Sequence, residues 1–204
     1  MYPSIVMSRL LLVVASIGSV TQTTIPERVA LAERKPVEFI ETEDTAPLPI
    51  ATLAVEAELI VVGRLARLGS YLSQDQTYMY TDYQLTPKQV IVDRAGRLTP
   101  GTPGATPQLI VQVLGGELVV DGIPVKVKDS SLINGIEDAD LLLFLGTTAD
   151  NPPKFDLYSG TAGLFQVEPS TQRVKSLLNH PERDDDLQGQ TLDQIIQRIQ
   201  AAQK

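Results

Sequence analysis

The 204-residue chain has no cysteine and a single histidine, His180. Without thiols there is no disulfide framework, no cysteine nucleophile, no lipoprotein anchor and no thiolate metal site. One imidazole cannot build a two- or three-histidine zinc centre. Basic residues are also scarce: 17 Lys and Arg against 25 Asp and Glu leave a net charge of −8. That is the wrong sign for binding nucleic acid by displacing its counterions. Nor is there a long apolar run. The longest, Leu10 to Val20, would reach about 16 Å as a helix, roughly half of a ~30 Å hydrocarbon core. At 43% hydrophobic residues, what is left is ordinary globular composition, enough for one main domain plus tails.

Residues 1–20 read as a signal peptide: Arg9 is followed by the short apolar run, and Ser16, Gly18 and Ser19 supply small residues near its end. Cleavage is expected between Gly18 and Thr24, and a short buried N-terminal helix is the plainer alternative. Residues 21–49 read as a Pro-rich acidic linker, with Pro26, Pro36, Pro47 and Pro49 beside Glu41, Glu43 and Asp44. Proline removes a donor and pushes its predecessor out of the helical region. Val37–Ile40 is the one stretch there with strand character.

Residues 50–170 carry the fold. Ile50, Leu53, Ala54 and Ala57 fall at helical spacing and predict a short helix. Leu59–Gly63 then starts a β-branched strand that runs through Leu65 and Leu68 toward Tyr71, with Gly63 marking a bulge or a close backbone approach. From Thr77 to Val92 the period is two: Met79, Thr81, Tyr83 and Leu85 face one way, Tyr78, Tyr80, Asp82 and Gln84 the other. Pro87 requires a bulge, after which Val90 and Val92 should resume the pattern. Arg94–Pro107 is a Gly/Pro loop. Further strands follow at Leu109–Leu114, Leu118–Val120, Ile123–Val127, Asp140–Gly146, Phe155–Tyr158 and Leu164–Val167, with Asp121-Gly122 as a hairpin turn. The expected fold is mainly β, an antiparallel OB-like barrel or small sandwich of about seven strands. A parallel sheet would need crossover helices. Residues 171–190 read as a polar loop. At 191–204 a C-terminal amphipathic helix is expected: Thr191 and Gln194 form a capping box, and Leu192, Ile195, Ile196 and Ile199 form one apolar face.

Ala57-Glu58-Leu59-Ile60-Val61-Val62-Gly63-Arg64-Leu65, Tyr80-Thr81-Asp82-Tyr83-Gln84-Leu85, Gly115-Gly116, Leu141–Leu145 and Gly163-Leu164-Phe165-Gln166-Val167 occur in that order. The pattern resembles a family of small exported bacterial β domains of unassigned activity, with "A-D-x-I-V-x-G-x-V", "Y-L-L-F-L" and "G-K-F-x-V" strands. Its opening strands are faintly similar to the netrin-like module of tissue metalloprotease inhibitors, which implies a five-stranded OB-type barrel. Glu58, Pro87 and Leu164 depart from the pattern. Those inhibitors chelate the protease metal through an N-terminal cysteine, which this chain lacks.

Three clusters invite a catalytic reading. Glu137, Asp138 and Asp140 could act as acid and base, or bind a divalent cation, but are too few and too closely spaced for a calcium loop. Arg183 with Asp184–Asp186 is a charge run of the usually solvated kind. His180 has no partnering nucleophile motif. The sequence therefore assigns no catalytic residue, no metal ligand and no cofactor. Its binding candidates are Tyr78, Tyr80 and Asp82, since rings on the wet face of a barrel can stack on sugars, peptides or bases. Cross-strand packing is the competing role for these rings. The function expected is an exported, non-enzymatic binding module, periplasmic or extracellular. Its partner would be an unidentified extracytoplasmic protein or glycan, not nucleic acid, and no stable membrane span would remain after signal removal. The alternative is an inhibitor-like domain that meets an extracellular protease through a barrel edge or a loop such as Arg94–Pro107. A weaker rival is a hydrolase using Asp138 and Asp140.

Overall fold

The computed structural model describes residues 23–32, 35–41, 48–94, 96, 98, 109–129, 136–148, 154–158, 160–177 and 189–204. The signal peptide, most of the Gly/Pro loop, His180 and Asp184–Asp186 lie outside the described residues.

Five strands close a barrel: β2 (Leu59–Leu72), β3 (Met79–Asp93), β4 (Leu109–Leu114), β7 (Asp140–Thr147) and β8 (Phe155–Leu157). The remaining strands are β1 (Val37–Glu41), β5 (Gly116–Val120), β6 (Ile123–Asp129), β9 (Leu164–Val167) and β10 (Val174–Ser176), with helices α1 (Ile25–Leu31), α2 (Ile50–Glu56) and α3 (Leu192–Ala202). Around the barrel β7, β2, β3 and β4 are antiparallel neighbours. β8 then joins β4 in parallel and β7 antiparallel, which closes the ring. The result is the mainly β, OB-like barrel that the alternation predicts, with two parallel exceptions: β4–β8 and β1–β6. The chain crosses from β4 to β8 through β5, β6 and β7, so strands supply the crossover that helices usually provide.

Closure depends on bends. β2 and β3 slip register at Ile60/Val61, Val62/Gly63 and Arg67/Gly69, and such bulges let a long hairpin curl. Gly63 pairs with Pro87, and a Cβ on Gly63 would stand 2.7 Å from the Thr86 carbonyl oxygen. The close approach read from sequence is therefore real. Leu68 is left without a cross-strand partner and is exposed. Beyond Pro87 the phase differs from expectation. Val90 faces solvent, while the adjacent Ile91 and Val92 both pack inward against the helices, because the bulge rotates the strand end.

Inside the barrel sit Leu59, Val61, Leu65, Tyr83, Leu85, Val111, Leu141, Leu143 and Phe155. The alternate side chains of β2 and β7 point outward and are covered: Ile60, Val62, Leu142 and Phe144 pack beneath α2 and α3. β7 is thus buried on both faces, as its unbroken apolar run requires. α3 begins with the predicted capping box, in which Thr191 and Gln194 satisfy each other's backbone N–H groups.

A third cluster covers one end of the barrel. Gly115 and Gly116, at φ 97° and 143°, turn the chain out of β4 into the small sheet β1–β6–β5. Both glycines are needed there because L side chains avoid positive φ. Val120, Val125 and Val127 of that sheet bury Met79 together with Ile25 and Val29 of α1. α1 and β1 lie within the stretch read as linker. Thr24 and Glu27 make a full capping box, and Pro26 occupies the first turn, where its missing N–H costs nothing.

Candidate functional site

α2 and α3 lie over β2 and β7, and the small sheet lies over one end; on the outer face of β3 stand Tyr80, Asp82 and Gln84, and on that of β4 Ile110, Gln112 and Leu114. Met79, Thr81, Tyr83 and Leu85 are buried, so Tyr80 and Asp82 must point the other way, and both are half-buried there. The Tyr78 and Tyr71 rings each lie 6.3 Å from Tyr80, centroid to centroid, tilted 44° and 38° to it. Tyr71 is the cross-strand partner of Tyr80.

Beside the rings is a fixed polar triangle. The Lys154 ammonium donates to Asp82 Oδ2 at 2.7 Å and to the Tyr71 hydroxyl at 3.0 Å, while that hydroxyl donates to Asp82 Oδ1 at 3.1 Å. The same ammonium is 4.5 Å from the Tyr71 ring centroid. Lys154 immediately precedes β8, so its side chain spans from β8 to β3 with β4 between them. Burial pulls the Lys154 pKa down, but the bonds to Asp82 and Tyr71 outweigh it and hold the ammonium above its ordinary value. Burial chiefly raises the Tyr71 phenol, against the pull of Lys154. At neutral pH the triangle is a locked cation, carboxylate and phenol, each geometrically constrained by the other two.

The β2–β3 turn sets the position of Tyr78. Ser73 N donates to the Tyr78 carbonyl at 2.9 Å, Tyr78 N donates to Ser73 Oγ at 3.0 Å, and Ser73 Oγ donates to Asp75 at 2.6 Å. Thr77 N also donates to Asp75 at 3.2 Å, and the bonds from Ser73 and Thr77 depress the Asp75 carboxyl pKa. Ile25 N of α1 ties down the Gln76 carbonyl at 2.8 Å. On the other side of β3, the buried Thr81 hydroxyl donates to the Gly115 carbonyl at 2.7 Å and shares a bond with Ser70 at 2.8 Å. The shelf that carries the tyrosines is therefore braced at both ends.

The acidic cluster does something else. Asp140 accepts from Arg64 Nε at 2.6 Å and from Lys88 at 2.6 and 2.7 Å, pinning β7, β2 and β3 together. Those bonds, Lys88 first and Arg64 next, hold its carboxyl below the ordinary range. A carboxylate engaged on both oxygens by two cations is a poor proton carrier. Glu137 forms a backbone bridge to Leu65, and Asp138 takes a positive φ of 63° in the bend between Glu137 and Asp140. Among the described residues no group of three or more His, Asp or Glu side chains could hold a metal ion, and no helix is long and apolar enough to cross a membrane.

Sequence reading places Tyr78, Tyr80 and Asp82 together, and the structure has them adjoining, with the rings also packing on one another. It misses Tyr71 and Lys154. Counting back from the Ser73–Tyr78 turn would have paired Tyr71 with Tyr80. Lys154 gives no such signal, because only barrel closure brings it near. Protein-family models, curated proteins and solved structures contain no match to this chain.

Proposed function

We propose that the chain is an exported, non-catalytic binding module that holds an extracytoplasmic protein or glycan on the outer face of β3 and β4. One observation carries the reading: beside the locked Asp82–Lys154 pair three half-buried tyrosines, Tyr71, Tyr78 and Tyr80, gather at one end of the β2–β3 hairpin, away from the part of the wall that α2 and α3 cover. OB-type barrels use the face of their second and third strands with the adjoining loops for ligands. β3 and β4 are the second and third strands of this barrel, so the analogy of fold points to the same face. Export rests on the Arg9–Val20 signature.

The test is capture from an extracytoplasmic fraction by the wild-type chain and by the Tyr78→Ala, Tyr80→Ala double variant. A partner lost by the variant, with the thermal midpoint nearly unchanged, is the expected result. Parallel loss of binding and stability would assign the rings to packing alone. A protease captured equally well by both proteins would move the function to an inhibitor-type contact elsewhere on the surface.

A further inference from the structure

We infer that the occupant of the β3–β4 face is an uncharged oligosaccharide, bound with its sugar rings against Tyr78 and Tyr80 and its hydroxyls at the Asp82–Lys154 edge; this rests on the module reading above. Four observations narrow the class. β3 is hydrogen-bonded on both sides, to β2 and β4, and β4 is paired to β3 and β8. Along β3 where it pairs with β4, and at Val111 and Gln112 of β4, an extended peptide therefore finds no open backbone edge among the described residues. Lys154 at this face is already neutralised by Asp82 at 2.7 Å, so a phosphate or sulfate backbone would have to compete with that carboxylate for the ammonium. The phenol rings, half-buried and tilted 38° and 44° to their neighbours at 6.3 Å between centroids, suit the curved apolar C–H faces of sugars better than a flat base, as one end of each ring is greasy and the other wet. Finally, the triangle fixes an ammonium donor and a carboxylate acceptor side by side. A pair of neighbouring hydroxyls, each both donor and acceptor, matches that pairing without displacing charge.

The full chain is titrated by calorimetry, and by NMR of the Tyr80 and Asp82 amides, with cello-, xylo-, malto- and chitohexaose. A proline decamer and a 12-nucleotide single-stranded DNA serve as competitors in class. The expected result is saturable binding of at least one hexasaccharide that changes little between 50 and 200 mM salt. Tyr80→Ala should weaken it by about tenfold or more, and Tyr80→Phe should restore it. Lys154→Met should weaken it as well, and thermal midpoints check that each variant is folded. Binding of the proline peptide alone, lost with Tyr80→Ala, overturns the sugar assignment and leaves the module reading standing. Salt-sensitive DNA binding overturns it too. Silence of all four sugars also overturns it, and the module reading is then decided by the capture experiment.

Discussion

Gly63 offers the sharpest test of barrel closure. It pairs with Pro87 at the bulge of the longest hairpin, and a Cβ there would lie 2.7 Å from Thr86 O, 2.8 Å from Leu85 Cδ1 and 3.3 Å from Pro87 Cα. The leucine methyl can rotate aside. The Thr86 carbonyl and Pro87 Cα belong to the backbone, so Gly63→Ala must push β3 away from β2 or strain both. Overpacking of this kind costs about 1–3 kcal/mol, against ~0.4–1 kcal/mol returned by a stiffer unfolded chain. Because two of the three contacts are backbone, the upper half of the range applies, and the net loss is about 2 kcal/mol. With a urea slope of ~2 kcal/mol/M, the unfolding midpoint falls by about 1 M. The internal control is Gly69→Ala on the same strand, where a Cβ meets nothing within 4 Å. Its midpoint should stay level or rise slightly. Circular dichroism and tyrosine fluorescence in a urea series measure both, with unchanged slopes as the check on two-state behaviour. Equal midpoints for the two variants, or a Gly63→Ala midpoint at or above wild type, would refute the packing argument.

Thr191→Ala removes half of the α3 capping box and should cost about 1 kcal/mol. For a chain of this size that is a fall of ~2–4 °C in thermal midpoint, while Thr191→Ser should hold the wild-type value. Phe144 is fully buried and packs edge-on against Phe165 at 5.7 Å, so Phe144→Ala should cost ~3–5 kcal/mol by denaturant titration. The depressed Asp140 carboxyl stabilises the fold above its unfolded pKa of ~3.9, and loses that contribution as pH falls through the lower folded value. The Asp140→Asn deficit should be about 1 kcal/mol or less, because Arg64 and Lys88 are half-exposed; it should vanish in acid and shrink in 1 M salt. At the alkaline end, Lys154, Tyr71 and Tyr83 all have raised pKa values, so the folded state keeps protons that the unfolded chain releases. Stability should therefore fall as pH climbs past about 10, less steeply in a Lys154→Met, Tyr71→Phe variant, and a slope unchanged in that variant would count against the triangle.

What the sequence disclosed was local. The alternation from Met79 to Leu85, the unbroken Leu141–Leu145 run and the Thr191–Gln194 box each specify their own structure within a turn or a strand pair. Asp121-Gly122 does so too, its residues at φ 50° and 80° as a two-residue hairpin demands. The stretch from Thr24 to Glu41 was harder to read because its prolines looked like breakers. Pro26 in fact sits where a helix tolerates proline, and Thr24-x-x-Glu27 was a capping box in plain view. β1 gave only a faint signal, since a short edge strand is fixed by its neighbour β6 more than by its own propensity. The parallel β4–β8 seam had no signal, because its partners are more than forty residues apart and β8 is only three residues long.

The seam and the candidate site are mechanically one object. Lys154 ends on Asp82 and Tyr71 only because β8, which it precedes, is registered beside β4 with Phe155 opposite Val111. Thr148 N donates to the Lys154 carbonyl at 2.9 Å and closes the antiparallel β7–β8 pair at its loop end. A slip of β8 by one residue would turn Phe155 out of the barrel and Lys154 into it, costing both the core contact and the polar edge. The buried phenylalanine therefore sets where the ammonium stands. The triangle is rigid for the same reason that the barrel is closed, and under the proposed function a ligand would meet donors and acceptors whose ordering cost was met at folding. A short closing strand with one large aromatic anchor is enough to do this, because the register of β8 decides both faces at once.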